Sequence, residues 1–371
     1  MRVIRPSYWK EFRCIAAQCG DNCCIGWEID IDSESGQFYR SVEGRFGERL
    51  NREICNENGE AHFRLHGERC AFLNHENLCD IILNLGETSL CQICAEHPRF
   101  YEWFGDVKEA GLGLCCEAAG QLIFGTGALD QFETVEEEEP PDSRPFDKAL
   151  YERLCLARET AYQIVQDRAK SVSDRMLLLL SFGEALQEAL ERNEPVKSSG
   201  LALMEHPEAD VPDCYRHLLA ELQSLEPMDS TWPAKLKQIS AQLSELLAVR
   251  REFMDSSPRA ETDYEHLLVY FLFRYLSKAV FDGDALAKIK LCVLSVLVVQ
   301  LLDIEKWAQA GCLTLEDQIE IAKGYSKEVE YSAENMEALE ELCWKTNDFS
   351  SERLAAMIKY ELYESAALDK R

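Results

Sequence analysis

Four cysteines fall within eleven residues, at Cys14, Cys19, Cys23 and Cys24, and seven more follow at Cys55, Cys70, Cys79, Cys91, Cys94, Cys115 and Cys116. Thiolates are soft ligands that select zinc, copper(I) and iron–sulfur clusters over calcium or magnesium. Zinc favours two short knuckles closed into a tetrahedron, and Cys19-x3-Cys23 and Cys91-x2-Cys94 have that spacing. An iron–sulfur cluster also takes four cysteines, commonly several from one tight loop, and the run Cys14 to Cys24 has that form. Redox-active thiols or disulfides would use the same residues. Adjacent side chains such as Cys23 and Cys24 do not easily point at one metal, so one of them faces the core or a second site. Spacing alone leaves iron–sulfur, zinc and redox chemistry open.

Other chemistries find less support. A radical enzyme using S-adenosylmethionine carries C-x3-C-x2-C, and Gly26 stands where the third cysteine is required after Cys23. A dinucleotide fold needs a strand, a glycine-rich turn and a helix, and "GLGLCC" at Gly111 to Cys116 lacks the third glycine. His62, His66, His75 and His97 lie among the cysteines and read as surface histidines before ligands. Trp27, Trp103 and Phe104 read as core. The remaining cysteines, Cys155, Cys214, Cys292, Cys312 and Cys343, are scattered and read as small core residues.

The elements that must hold these residues differ along the chain of 371 residues. The pattern predicts a mainly α protein in two units. Residues 1–132 form a loop-rich, cysteine-rich unit with short helices and little apolar core, which a metal site would stabilise. Within it, "HFRLHGERCAFLNHENLCDII" reads as a short strand or hairpin leading into a turn. Residues 133–148, "ETVEEEEPPDSRPFDK", read as a solvated acidic, proline-rich linker. Residues 149–371 read as an all-α domain. There, "DRMLLLLSFGEALQEALERN" is a helix opening at Asp174, and "PAKLKQISAQLSELLAVRREF" is one helix with an apolar face at Leu236, Ile239, Leu243, Leu246 and Leu247. "YEHLLVYFLFRYLSKAVF" and "LAKIKLCVLSVLVVQLL" are apolar nearly all round and belong inside a bundle.

Composition narrows the partners. A hydrophobic content of 46% suits a folded core, and a net charge of −28 repels phosphate backbones and anionic membranes. The same charge favours partners that present lysine or arginine. No secretory signal is visible at the N-terminus, and Leu291 to Ile304 is too short to span a bilayer, so the expectation is a cytoplasmic protein with reduced thiols.

The runs "YWKEFRCIAAQCGDNCCIGWEIDID", "RCAFLNHENLCDI", "CAEHPRF" and "LCCEAAGQLI" resemble the bacterial flagellin lysine-N-methylases and, more broadly, cysteine-cluster proteins described as zinc- or iron-chelating domains. "HLLVYFLFRYL" and "GYSKEVEYSAEN" extend the resemblance into the helical part. It implies metal ligands at Cys14, Cys19, Cys23, Cys24, Cys70, Cys79, Cys94 and Cys115, with Cys55, Cys91 and Cys116 as additions. It also implies a 4Fe–4S cluster, with zinc as the alternative, and methyl transfer from S-adenosylmethionine to lysines of flagellin or another lysine-bearing protein. Lysine methylation requires the neutral amine, hence desolvation or a base. Asp30, Asp32, Arg99, Tyr325, Glu328, Glu330 and Tyr331 are polar candidates that spacing does not separate, and no base is assigned. The competing expectation is a non-enzymatic iron- or zinc-chelating or redox-sensing module whose helical domain binds a partner.

Overall fold

The computed structural model describes residues 1–20, 23–57, 59–196, 200–205, 209–345 and 347–368. The N-terminal third holds more strand than its sequence suggests. In chain order it runs β1 (Arg2–Pro6), β2 (Asp30–Ile31), α1 (Ser33–Ser41), α2 (Gly44–Glu53), β3 (Ile54–Glu57), β4 (Glu60–Phe63), β5 (Leu65–His66), β6 (Arg69–Cys70), α3 (Asp80–Leu85), α4 (Gln92–Glu96), β7 (Arg99–Phe104), β8 (Val107–Leu112), α5 (Glu117–Phe124) and β9 (Phe132–Glu136).

The main sheet has the order β7-β8-β1-β9. β7 is a run of aromatic residues, which suit a pleated, half-buried surface. It turns tightly into β8 at Gly105, whose φ of 63° is easy only for glycine. β1 lies parallel to β8 and antiparallel to β9. A three-stranded sheet, β2-β4-β3, and the expected hairpin β5-β6, turning at Gly67, complete the unit.

Two expectations are corrected here. The cysteine unit does have an apolar core of its own, built from Ile29, Ile31, Tyr39, Leu50, Phe63, Phe72 and Ile81, with Cys70 and Cys91 buried among them. Residues 133–148 are not a solvated spacer throughout. Thr134 and Val135 sit in β9 against β1, and the neighbouring glutamates are taken up by buried cations. Arg5 pairs with Glu133 and Glu137, and Lys108 with Glu137 and Glu139. Further on, Asp142 donates its N–H to the Gly105 carbonyl, and Phe146 packs edge-on to Phe104 and Tyr151. A charge run reads as solvated only until opposite charges face it.

The rest is helical, as expected: α6 (Lys148–Val165), α7 (Val172–Glu191), α8 (Val211–Ser224), α9 (Trp232–Ala241), α10 (Leu243–Ala248), α11 (Arg250–Ser256), α12 (Ala260–Tyr275), α13 (Ala279–Asp282), α14 (Ala285–Ala310), α15 (Leu315–Glu330), α16 (Ala333–Lys345) and α17 (Ser351–Leu368). α14 is the axis. It packs against α7, α12, α15, α16 and α17, which bury its all-round apolar surface. Each fully buried Leu or Val there contributes about 1.5–3 kcal/mol. α14 is long and apolar enough to cross a membrane, yet its apolar window is 89% buried inside the fold. Asp284 caps its start, Gly311 at a φ of 77° ends it, and the Thr314–Asp317 capping box starts α15. α7 opens at Ser171, three residues before the expected Asp174. The single helix expected after Pro233 is broken at Gln242 and Val249 into α9, α10 and α11. No glycine or proline marks those breaks, and each short helix buries its own apolar residues, Leu236 and Ile239, then Leu243, Leu246 and Leu247, then Phe253.

Sheet and bundle share one core. Phe104, Val107, Leu114, Ile123 and Phe124 are buried in the same apolar cluster as the bundle helices. α5 lies on α15 so closely that a Cβ on Gly120 would come within 2.8 Å of Ile319.

Candidate functional site

The site is a thiol patch in the apolar core of the cysteine unit. Cys23 and Cys24 end the first cysteine loop, described apart from residues 21 and 22. The backbone N–H of Cys70 donates to the Cys24 carbonyl at 2.8 Å, which ties that loop to the hairpin. Cys79 precedes α3, and Cys91 is the N-cap of α4, which carries Cys94 one turn later.

Electrostatic coupling shows which thiols are neighbours. Cys24 feels Cys23, Cys70 and Cys79; Cys94 feels Cys91, Cys24 and Cys23; Cys70 feels Cys79 and Cys91. A hydrogen bond with Cys23, together with burial, pushes the Cys24 thiol up. Burial pushes Cys70 up to about 11 and also raises Cys79. Cys91 and Cys94 share a hydrogen bond that lowers the first and raises the second. The backbone N–H of Cys94 also lowers the Cys91 thiol.

The eight expected ligands do not all meet. Cys23, Cys24, Cys70, Cys79 and Cys94 gather. Cys14 is exposed and belongs to a second, looser group through Cys116, whose half-buried thiol feels both Cys23 and Cys14. Cys19 is half-buried at the end of a single helical turn, and Glu117 accepts the N–H of the next residue, Gly20, at 2.9 Å. Cys115 turns away from the patch. It is buried, 2.6 Å from the Tyr331 hydroxyl, and burial pushes its thiol up. Conversely, Cys91, expected as an addition, stands with the gathered thiols, while Cys116, also expected as an addition, stands in the looser group with Cys14. The C-x2-C spacing at the start of a helix was the signal for Cys91. Cys55 lies on β3 opposite His62.

The donor type suits a soft metal. The arrangement is one of neighbouring pairs: among the described residues no group of three or more His, Cys, Asp and Glu side chains is drawn together tightly enough to hold a metal ion. No step is therefore routed through a cluster below.

The histidines and polar candidates sort differently. His62 pairs with Glu28, His66 with Glu53, and His75 is exposed. Asp32 caps α1 and accepts the Gln92 N–H, a structural role, and Arg99 lies over the Trp9 and Phe12 rings. Tyr325 is inside the bundle, bonded to Ser295, and Glu328 accepts the N–H groups of Met228 and Asp229.

Glu330 and Tyr331 are different. They end α15 at the seam with the cysteine unit. Glu330 accepts from Tyr275 at 2.6 Å and Tyr270 at 3.1 Å and pairs with Arg274 at 3.2 Å. Tyr270 in turn accepts the N–H of Leu114, beside Cys115. Burial, then the neighbouring Cys115, pushes the Tyr331 hydroxyl up. Its ring lies 4.7 Å from Trp27 and 6.3 Å from His97. Burial, then Lys327, pushes His97 down to about 4, so it presents a neutral ring at pH 7. Trp27 and His97, expected as core and surface residues, thus belong to the seam, because they follow Cys24 and Cys94 by one turn of chain.

Residues 158–358, more than half of the chain, match the family model described as the FliB lysine N-methylase C-terminal domain. The chain belongs to the FliB lysine N-methylase family. The matched segment runs from α6 into α17 and contains Arg274, Glu330 and Tyr331. The chain is 25% identical over 139 residues to a flagellar biosynthetic protein, FliU, of Salmonella muenchen, an alignment covering 34% of this chain and 80% of that one. It is 24% identical over 138 residues to proteins named lysine-N-methylase from Salmonella typhimurium and Salmonella choleraesuis. Those alignments cover 34% of each chain, so this protein spans about a third of the curated lysine-N-methylases it matches. No solved structure matches it significantly.

Proposed function

We propose that this protein is a lysine N-methyltransferase that moves methyl groups from S-adenosylmethionine to surface lysines of flagellin or a similar lysine-bearing protein. The observation that carries this reading is the position of Glu330 and Tyr331, which lie in the segment matched by the lysine N-methylase family and close against the cysteine unit. A half-buried seam suits the chemistry. Desolvation disfavours the ammonium and leaves the amine lone pair free. The amine then attacks the methyl carbon in line: the N–C bond forms as the S–C bond breaks, the donor leaves as S-adenosylhomocysteine, and the proton released by the ammonium passes to solvent. Arg274, Tyr270 and Tyr275 hold Glu330 and so fix the end of α15 that presents Tyr331. The net charge of −28 supports a cationic partner, with association that weakens in salt.

The cysteine patch is the proposed holder of a 4Fe–4S cluster or, alternatively, zinc, with Cys23, Cys24, Cys70, Cys79, Cys91 and Cys94 as the donors to choose from. A bound cluster would supply a Lewis-acidic iron or a rigid staple. The test is anaerobic incubation of the protein with flagellin and donor, followed by mass mapping of lysines for methyl increments. Absence of product together with absence of donor binding would overturn the reading. A redox-sensing or chelating module is the second reading, favoured by the Cys91–Cys94 pair with its shared hydrogen bond.

A further inference from the structure

We propose that Trp27, His97 and Tyr331 form the seat of the substrate lysine's ammonium, a seat that the chain's own Lys327 partly occupies. The inference rests on the lysine methyltransferase reading. The three rings come from separate segments and meet at the seam: Trp27 lies 4.7 Å from Tyr331 and 6.1 Å from His97, and His97 lies 6.3 Å from Tyr331. Such a convergence of half-buried rings offers π faces, which attract cations within about 6 Å of a ring centroid. A cation is present. The Lys327 ammonium stands 5.4 Å from the Trp27 ring centroid. Lys327 precedes Tyr331 by four residues, so the two share one face of α15.

The seat is joined to the thiol patch through Trp27, whose indole N–H donates to the Cys23 carbonyl at 2.7 Å, and to the separate Cys115 sulfur through the Tyr331 hydroxyl. The carboxylate nearest in sequence, Glu330, is engaged by Arg274, Tyr270 and Tyr275. A lysine arriving here would meet the ring faces of Trp27, His97 and Tyr331, which hold a cation through their quadrupole. The sulfonium of the methyl donor is also an onium ion, but the cation that stands at the Trp27 ring is a lysine side chain.

The test is calorimetric titration of the full-length protein with Nα-acetyl-trimethyllysine amide and with its neutral tert-butyl isostere. The trimethylated cation should bind and the isostere should bind about tenfold more weakly. Trp27→Ala should weaken the cation about tenfold, Trp27→Phe should retain most of the affinity, and Lys327→Gln should tighten it several-fold by removing the competitor. Circular dichroism checks that each variant is folded. Equal binding of cation and isostere, or indifference to Trp27→Ala in a folded variant, overturns the seat. So does loss of S-adenosylmethionine binding in Trp27→Ala with the lysine probe unaffected, which would give the rings to the donor. Binding that follows these rules without any methylation of flagellin would count against the enzymatic reading and not against the seat. Methylation by a Trp27→Ala variant at wild-type KM would count against the seat and not against the enzyme.

Discussion

Breaking the Glu109–Arg158 pair should loosen the whole protein, because that pair ties the main sheet to the bundle. Glu109 is on β8 and Arg158 on α6, each with a side chain 4% exposed. The guanidinium bonds both carboxylate oxygens, at 2.6 and 2.7 Å, and also Ser277 Oγ at 2.6 Å. Tyr151 donates to the same carboxylate at 3.0 Å. In Arg158→Met, Glu109 keeps Tyr151 and a long bond from Ser277 but loses its only buried counter-charge among these partners. Removing one partner of a buried pair costs about 3–5 kcal/mol. The entropy of unfolding is about 2.1 cal/mol/K per residue, hence about 0.8 kcal/mol/K for this chain unfolding as one unit, so Tm should fall by about 4–6 °C. Replacing both partners with apolar residues, Glu109→Leu with Arg158→Met, should recover most of the loss, with a coupling of about 2 kcal/mol or more in the double-mutant cycle. Urea titration of the four proteins, followed by circular dichroism and by tryptophan fluorescence, measures this. A cost below about 1 kcal/mol for Arg158→Met, or a double variant as unstable as the sum of the singles, would refute the reasoning. Separate transitions for the two probes in the wild type would refute the single shared core.

Other outcomes are expected. Burial opposes the charge on His266, but the Asp130 carboxylate, 2.6 Å from Nδ1, outweighs it and holds the imidazolium pKa above its usual value. Its contribution is therefore complete below the unfolded pKa of about 6.5 and is lost as pH rises through the raised folded value, so stability should decline on the alkaline side of neutrality, and His266→Gln should flatten that slope in urea midpoints taken across the range. Glutamyl endopeptidase should cut first near Glu138, which is exposed between β9 and the prolines, and not at Glu133 within β9; strong protection of both would remove the expected weak point. Anaerobically purified protein should carry iron with labile sulfide, and Cys91→Ala should lower both, whereas stoichiometric zinc without sulfide would select the alternative metal. Gly120→Val should destabilise the contact between α5 and α15 by about 1–3 kcal/mol, since its side chain would meet Ile319, and an unchanged denaturation midpoint would show that the seam is softer than its packing implies.

Helix positions were legible because their signals are local. Apolar character acts within one or two turns, so α12 and α14 could be read directly from the chain. The soft-donor chemistry was legible for the same reason, since cysteine type and spacing are properties of the chain. Tertiary structure decided what has no local signature. β1 finds β8 and β9 across more than a hundred residues, and the acidic run after Phe132 became partly a strand because buried Arg5 and Lys108 face it. Only the fold separated Cys115 from the gathered thiols and brought in Cys91. It also turned Trp27, His97 and Tyr331, far apart in sequence, into one cluster. Helix hydrogen bonding and apolar periodicity act locally and leave a trace in sequence. Charge pairing and ring packing act between segments whose separation along the chain carries no record of their meeting.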